Sequence, residues 1–140
     1  LLIRYCSDHF DKWFDKKTFP KKDYVLLIKH FPTHIDKWFD KKTFPKDLYP
    51  ILVIYCSDHF DKWFDKNTFL KEHYWYLARF CGEYFNEWFD KDTFPKYYYY
   101  ALAMYCSKHF DRWFDKETFP KKYYDYLEQY CKEYKHIWER

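Results

Sequence analysis

The chain has 140 residues, of which 29% are aromatic, and it contains a single Gly. That composition supplies ample apolar surface to bury and excludes an intrinsically disordered chain. Its 25 basic and 22 acidic residues leave a net charge of +3, too balanced to mark a nucleic-acid binder by charge alone.

Residues 1–4 (LLIR) match 26–29 (LLIK), so the chain opens part-way through a repeating unit. With no initiator Met and no signal peptide, a fragment or processed product is expected. No apolar run approaches the ~18 residues that a bilayer crossing needs, so the expectation is a soluble, cytoplasmic protein without a membrane partner.

The octapeptide HFDKWFDK stands at 9–16 and again at 59–66, with variants at 34–41, 84–91 and 109–116. Trp13, Trp38, Trp63, Trp88, Trp113 and Trp138 are spaced by 25 residues. The repeats run 5–29, 30–54, 55–79, 80–104 and 105–129, with a partial unit at 130–140, all in one repeat domain. A fixed period in this range indicates a solenoid, whose units bury their apolar faces by stacking.

Within a unit, Tyr24, Leu27, Ile28 and Phe31 recur at helical spacing. Two punctuation points divide the unit. The column Ser7, Pro32, Ser57, Gly82, Ser107 begins a short helix B, predicted over 8–14. The stretch DKKTFP (15–20) breaks the chain again, with Thr18 as the cap and Pro20 in the first turn of a longer helix A, predicted over 20–29. Their lengths are roughly 10 and 15 Å. One continuous helix per repeat would carry Pro32 mid-helix, at a cost of about 3 kcal/mol. The runs at 25–29 and 51–54 also suit buried strands, which keeps a short β-solenoid as the alternative. The predicted fold is an all-α solenoid of 25-residue two-helix repeats, its hand undetermined, and five layers of ~9–10 Å would span about 45–50 Å.

The string YCSDHFDKWFD (55–65), followed by a short turn and an aromatic-rich helix, resembles tandem repeats in uncharacterised proteins of giant DNA viruses. The resemblance covers nearly the whole chain. In those repeats Pro-Glu-Lys often follows the WFD turn, whereas here Lys-Lys-Thr or a variant follows. The resemblance implies a viral, repeat-built protein of the host cytoplasm or the virion, and implies no activity.

Candidate chemistry competes with packing at each motif. Trp13-Phe14 and its copies are read as rings that interlock layers, since each interface needs the same knob. Cys6, Cys56, Cys81, Cys106 and Cys131 are read as small buried hydrophobes, because equivalent atoms a layer apart exceed disulfide reach. Free thiols suggest a reducing compartment. Cys-x-x-His pairs, as at Cys56 and His59, would need a second pair for zinc and alternate with repeats that lack them. Ser7-Asp8-His9 has the letters of a hydrolase triad without its geometry. No catalytic residue, metal ligand or cofactor site is therefore assigned.

Two lysine ladders flank the turn: Lys16, Lys41, Lys66, Lys91 and Lys116, then Lys21, Lys46, Lys71, Lys96 and Lys121. They are able to follow a phosphate backbone, but Asp15 and its copies adjoin the first ladder, which favours an internally paired edge.

Function is sought where the repeats differ. The turn column Lys17, Lys42, Asn67, Asp92, Glu117 drifts from basic to acidic, and the other variable columns lie on helix A. In the second half these carry Trp75, Tyr76, Tyr97, Tyr98, Tyr100, Tyr123 and Tyr126. Exposed Tyr and Trp anchor protein interfaces and also stack on single-stranded nucleic acid. The reading is a non-enzymatic scaffold that binds a protein partner through these rings. The alternatives are a modular nucleic-acid binder with the lysines on phosphates, and a self-assembling structural component. In the last unit Lys135 replaces a core aromatic, as a terminal cap requires, while the apolar 1–3 end would allow self-association.

Overall fold

The computed structural model describes residues 9–139. They form an all-α array of two-helix repeats, with no strand among the described residues. The chain divides into two compact units, 1–69 and 70–140.

The first unit contains α1 (Phe10–Trp13), α2 (Tyr24–His30), α3 (Ile35–Trp38), α4 (Tyr49–Tyr55) and α5 (Phe60–Trp63). The second contains α6 (Tyr74–Phe80), α7 (Phe85–Trp88), α8 (Tyr99–Tyr105), α9 (Phe110–Trp113), α10 (Tyr124–Tyr130) and α11 (Lys135–Trp138). A 3-10 turn leads into α2 through α11, as Lys21–Asp23 does for α2 and Pro32–His34 for α3. Long helices of adjacent repeats pack side by side, α2 on α4 in the first unit and α6 on α8 on α10 in the second.

Each helical pair is separated by one non-helical residue. Phe31 has φ −133° and ψ 45° between α2 and the next turn, so a continuous helix does not form. Pro32 then occupies the first turn, where its missing N–H costs nothing. The predicted capping is corrected here. Ser57 and Ser107 are the first residues of their turns, not caps, and the junction residues Cys56 and Cys106 make no side-chain cap bond. Nor does a Thr cap the long helices. Pro20 and Pro45 sit at that boundary in extended conformation, and Leu70 adopts it too, with φ −73° and ψ 138°.

The turn before each long helix is held by an aspartate. Asp15 and Asp65 accept the backbone N–H two residues on through Oδ1, at 3.0 and 2.9 Å. Their carbonyls accept from three and four residues on, as from Thr68 at 3.1 Å and Phe69 at 2.9 Å. Asp40, Asp90 and Asp115 repeat the arrangement. This Asx turn uses only the N–H of Lys17, Lys42, Asn67, Asp92 or Glu117, which explains why that column drifts in charge.

In the first four repeats the core is an i, i+3, i+4 seam on the long helix: Tyr24, Leu27 and Ile28, then Tyr49, Leu52 and Val53, then Tyr74, Leu77 and Ala78, then Tyr99, Leu102 and Ala103. Against it pack a Phe from the turn and the Trp of the short helix. In the first unit the rings alternate as Phe19, Tyr24, Phe44, Tyr49 and Phe69, with successive centroids 5.4–5.8 Å apart. In the second, Tyr74, Phe94, Tyr99, Phe119 and Tyr124 do the same at 5.5–6.1 Å. Each such contact adds about 0.5–1.5 kcal/mol to the area it buries.

Candidate functional site: an aromatic face on the second unit

The motif residues resolve into joints. Trp38, Trp63, Trp88 and Trp113 are fully buried. Each indole N–H donates to the carbonyl seven residues earlier, at the corner between the helices: Phe31, Cys56, Cys81 and Cys106, at 2.7–2.8 Å. The bond satisfies a buried donor and pins the short helix under the long one, which a Phe would not do. Phe10, expected with Trp13 and Phe14 to lock one layer to the next, meets the following repeat. His34 stacks on it at 4.5 Å, as His109 does on Phe85 at 4.4 Å and Tyr134 on Phe110 at 4.5 Å. Phe14 stacks on Phe10 of its own repeat at 4.9 Å. Trp13 does reach the next repeat, 5.4 Å from Phe31.

Cys56, Cys81, Cys106 and Cys131 are buried and free. Burial pushes their thiols up to about 12. Such thiols are poor nucleophiles and poor metal ligands. Among the described residues no group of three or more His, Cys, Asp or Glu is placed to hold a metal ion, and no helix is long and apolar enough to cross a membrane. Ser7, Asp8 and Cys6 lie outside the described residues, as does the apolar 1–3 stretch.

The lysine ladders are exposed and partly engaged. Lys41 pairs with Asp65 at 3.7 Å and Lys91 with Asp115 at 3.6 Å, in each case across to the next repeat. The Asp115 carboxyl is held below its ordinary range, first by the Glu117 backbone N–H and then by Lys91. Lys46 and Lys116 donate to the carbonyls of Thr68 and Glu139, both at 3.2 Å. Lys96 lies 5.1 Å over the Tyr99 ring. Lys16, Lys21, Lys66, Lys71 and Lys121 are exposed too.

The variable rings gather on one unit. Trp75 and Tyr76 lie on α6, Tyr98 precedes α8, Tyr100 lies on it, Tyr123 precedes α10 and Tyr126 lies on it. Trp75 meets Tyr76 edge to face at 5.1 Å, and Tyr97 meets Tyr98 at 4.6 Å. Tyr100 touches Tyr123 at 5.3 Å and Tyr126 at 5.4 Å. Tyr97 is 54% exposed, while the other six are half-buried. An open cavity of about 340 Å³ is lined by Trp75, Tyr76, Tyr98 and Tyr100.

Two of these tyrosines also hold the repeats together. The Tyr98 hydroxyl donates to the Glu72 carbonyl at 2.7 Å, and that of Tyr123 to the Tyr97 carbonyl at 3.0 Å. Tyr98 is raised above its ordinary value by burial first, then by neighbouring phenols and Glu72. Tyr100 is raised by burial and by Tyr123 and Tyr126, against a hydrogen bond from Trp75.

Sequence reasoning missed Tyr105 and Arg79. Tyr105 lies 5.9 Å from Trp75, and the Arg79 guanidinium sits 4.8 Å over the Tyr105 ring. Tyr105 ends α8, thirty residues after Trp75, and comparing like columns does not pair positions offset by a repeat and five residues. The useful signal was the helical face, since Trp75 and Arg79 are four residues apart on α6.

Compared with protein-family models, with characterised proteins and with solved structures, the chain matches none of them.

Proposed function

We propose that this protein is a non-enzymatic repeat scaffold that binds a protein partner through the aromatic face of its second unit. The observation that carries the reading is the gathering of Trp75, Tyr76, Tyr97, Tyr98, Tyr100, Tyr123 and Tyr126 on successive long helices of that unit. These columns do not share one residue type along the chain, so the common repeat does not dictate their rings. Large rings, partly desolvated and held by neighbours, lose little entropy on binding, which is why Tyr and Trp dominate interface hot spots. The buried free thiols accord with a reducing, cytoplasmic setting. The reading carries with it the viral setting that the repeats' resemblance implies, an infected cell or a virion.

The ladders favour nucleic acid less, because Lys41, Lys46, Lys91, Lys96 and Lys116 already have partners within the chain. Affinity capture tests the reading. The intact protein is expected to retain a protein that the Trp75→Ala/Tyr97→Ala variant releases, with circular dichroism showing the variant folded. The same captured set for both sinks it. Salt-sensitive retention of a random single-stranded oligonucleotide, reduced by changing Lys71 and Lys121, would replace it with the nucleic-acid reading.

A further inference from the structure

The cavity beside α6 and α8 has a narrow chemistry. Its lining, Trp75, Tyr76, Tyr98 and Tyr100, consists of four aromatic rings, without an aliphatic, carboxylate or ammonium side chain. It is an open depression of about 340 Å³, wide enough for a side-chain headgroup to reach the rings from solvent. Ring faces carry negative potential and attract a cation held within about 6 Å.

The surrounding surface already uses ring faces this way. Arg79 lies 4.8 Å over Tyr105, Lys96 5.1 Å over Tyr99 and Lys122 5.1 Å over Tyr123. Among the described residues no cation of the chain lies over the four rings of the cavity. The charged group that acts on the Tyr98 phenol is the Glu72 carboxylate, and Tyr100 is acted on by phenols and the Trp75 indole.

The absence of a carboxylate in the lining decides which cation. A plain ammonium carries three N–H donors and strong hydration, and it loses both in a pocket of rings. A trimethylammonium has no donor to satisfy and presents methyl groups to the ring faces.

We propose that the cavity binds a methylated ammonium group, presented as a trimethyl-lysine side chain by the protein partner. This rests on the protein-binding reading above. A side chain of that partner is favoured over a choline headgroup in a bilayer. The exposed large hydrophobic residues of the second unit, Tyr97, Tyr130 and Ile137 among the described residues, lie on three different elements, so they make no contiguous apolar set ready to insert.

The test titrates the intact chain with three probes while following the indole N–H resonances by NMR. These are N-acetyl-trimethyl-lysine amide, the unmodified lysine amide, and a neutral analogue with a tert-butyl group in place of the trimethylammonium. The charged methylated probe should bind about three- to thirtyfold tighter than the neutral one. It should shift the Trp75 indole signal and leave Trp63 and Trp113 in place. Trp75→Ala should abolish the shift. Equal binding of the neutral or the unmodified probe overturns the proposal, and so does no saturable binding of any probe. Retention on phosphocholine vesicles without binding to the lysine probe overturns it in favour of a lipid headgroup. These arms use the unaltered chain, so they hold even if Trp75→Ala fails to fold. If tetramethylammonium chloride does not release a captured partner beyond what sodium chloride does, while Trp75→Ala/Tyr97→Ala still loses it, the cage fails and the scaffold reading stands.

Discussion

In the first unit the outer columns of the long helices carry Val25, Leu26, Pro50 and Ile51, all half-buried. In the second the same columns carry Trp75, Tyr76, Tyr100 and Tyr126, with Ala101 buried and Asp125 exposed. Inside, the trend reverses. The last seam position is Ile28 and Val53 in the first unit but Ala78 and Ala103 in the second, all four buried. Small seam residues let the following cysteine approach. The Cys106 thiol donates to the Ala78 carbonyl at 3.5 Å and the Cys131 thiol to that of Ala103 at 3.7 Å. The second unit thus draws part of its cohesion from rings and hydroxyls outside its seam, through Tyr98 to Glu72 and Tyr123 to Tyr97. The joints are common to both units: the Trp corner bond, the Asp turn and the Phe–Tyr ring series. What differs is the outward face and the last position of the seam.

The largest expected effect asks whether the joints are truly equivalent. Trp63→Ala and Trp88→Ala each remove a fully buried indole and its corner bond, one per unit. Each should destabilise its unit by about 3–5 kcal/mol. Trp88→Phe should recover most of that and leave about 1 kcal/mol, the share of the lost hydrogen bond. Denaturation followed by circular dichroism measures both. A Trp63→Ala cost below about 1 kcal/mol beside a full Trp88→Ala cost would show that the corner is a joint in one unit only.

An intermediate effect comes from alkali, and it separates the units. Burial pushes the thiols of Cys81, Cys106 and Cys131, all in the second unit, up to about 12, and Cys56 in the first likewise. Tyr99, also in the second unit, is pushed to about 12 by burial and then by Asp115 and Asp92. A raised folded value means that the native state holds its proton longer than the unfolded chain does. The stability is complete below the unfolded value, near 9 for Cys and 10 for Tyr, and is lost as pH climbs toward 12. Each such group withdraws its contribution progressively inside that window. The second unit should therefore open first between pH 9 and 12. Alkylation mapped by mass spectrometry checks this: Cys81, Cys106 and Cys131 should be labelled before Cys56. The reverse order would break the comparison.

Much of this was legible in the residues, and the rest was hidden for identifiable reasons. The 25-residue period and the helix boundaries were readable because every unit must offer its neighbour the same knobs. The long helix expected over 20–29 is helical over 21–30. The paired edge expected from Asp beside Lys is present at Lys41–Asp65 and Lys91–Asp115, while the Oδ1 bond of each Asp to a backbone N–H was hidden because no side-chain pattern displays it. The ring columns were readable as variation. That Tyr98 and Tyr123 also brace the stack was not, since a hydroxyl bond to a carbonyl 26 residues away leaves no mark on either residue type.

The smallest effect tests the residue that opens the second unit. Leu70 stands where Pro20, Pro45, Pro95 and Pro120 stand in the other repeats. Its φ of −73° and ψ of 138° lie close to the −60° and 121° of Pro45 and the −61° and 128° of Pro95. Its carbonyl accepts from His73 at 3.0 Å, as the Pro45 carbonyl does from Leu48 at 3.1 Å, and a proline keeps that acceptor. The native backbone already has the shape a proline enforces, so Leu70→Pro changes chiefly the unfolded chain, which has fewer states to lose. The expected gain is about 0.5–1 kcal/mol, less whatever the half-buried leucine side chain contributes by packing. Urea denaturation measures it as a higher midpoint at unchanged slope. A loss above about 1 kcal/mol would mean that the leucine side chain is itself a joint, and that the second unit begins on a contact the other repeats do without.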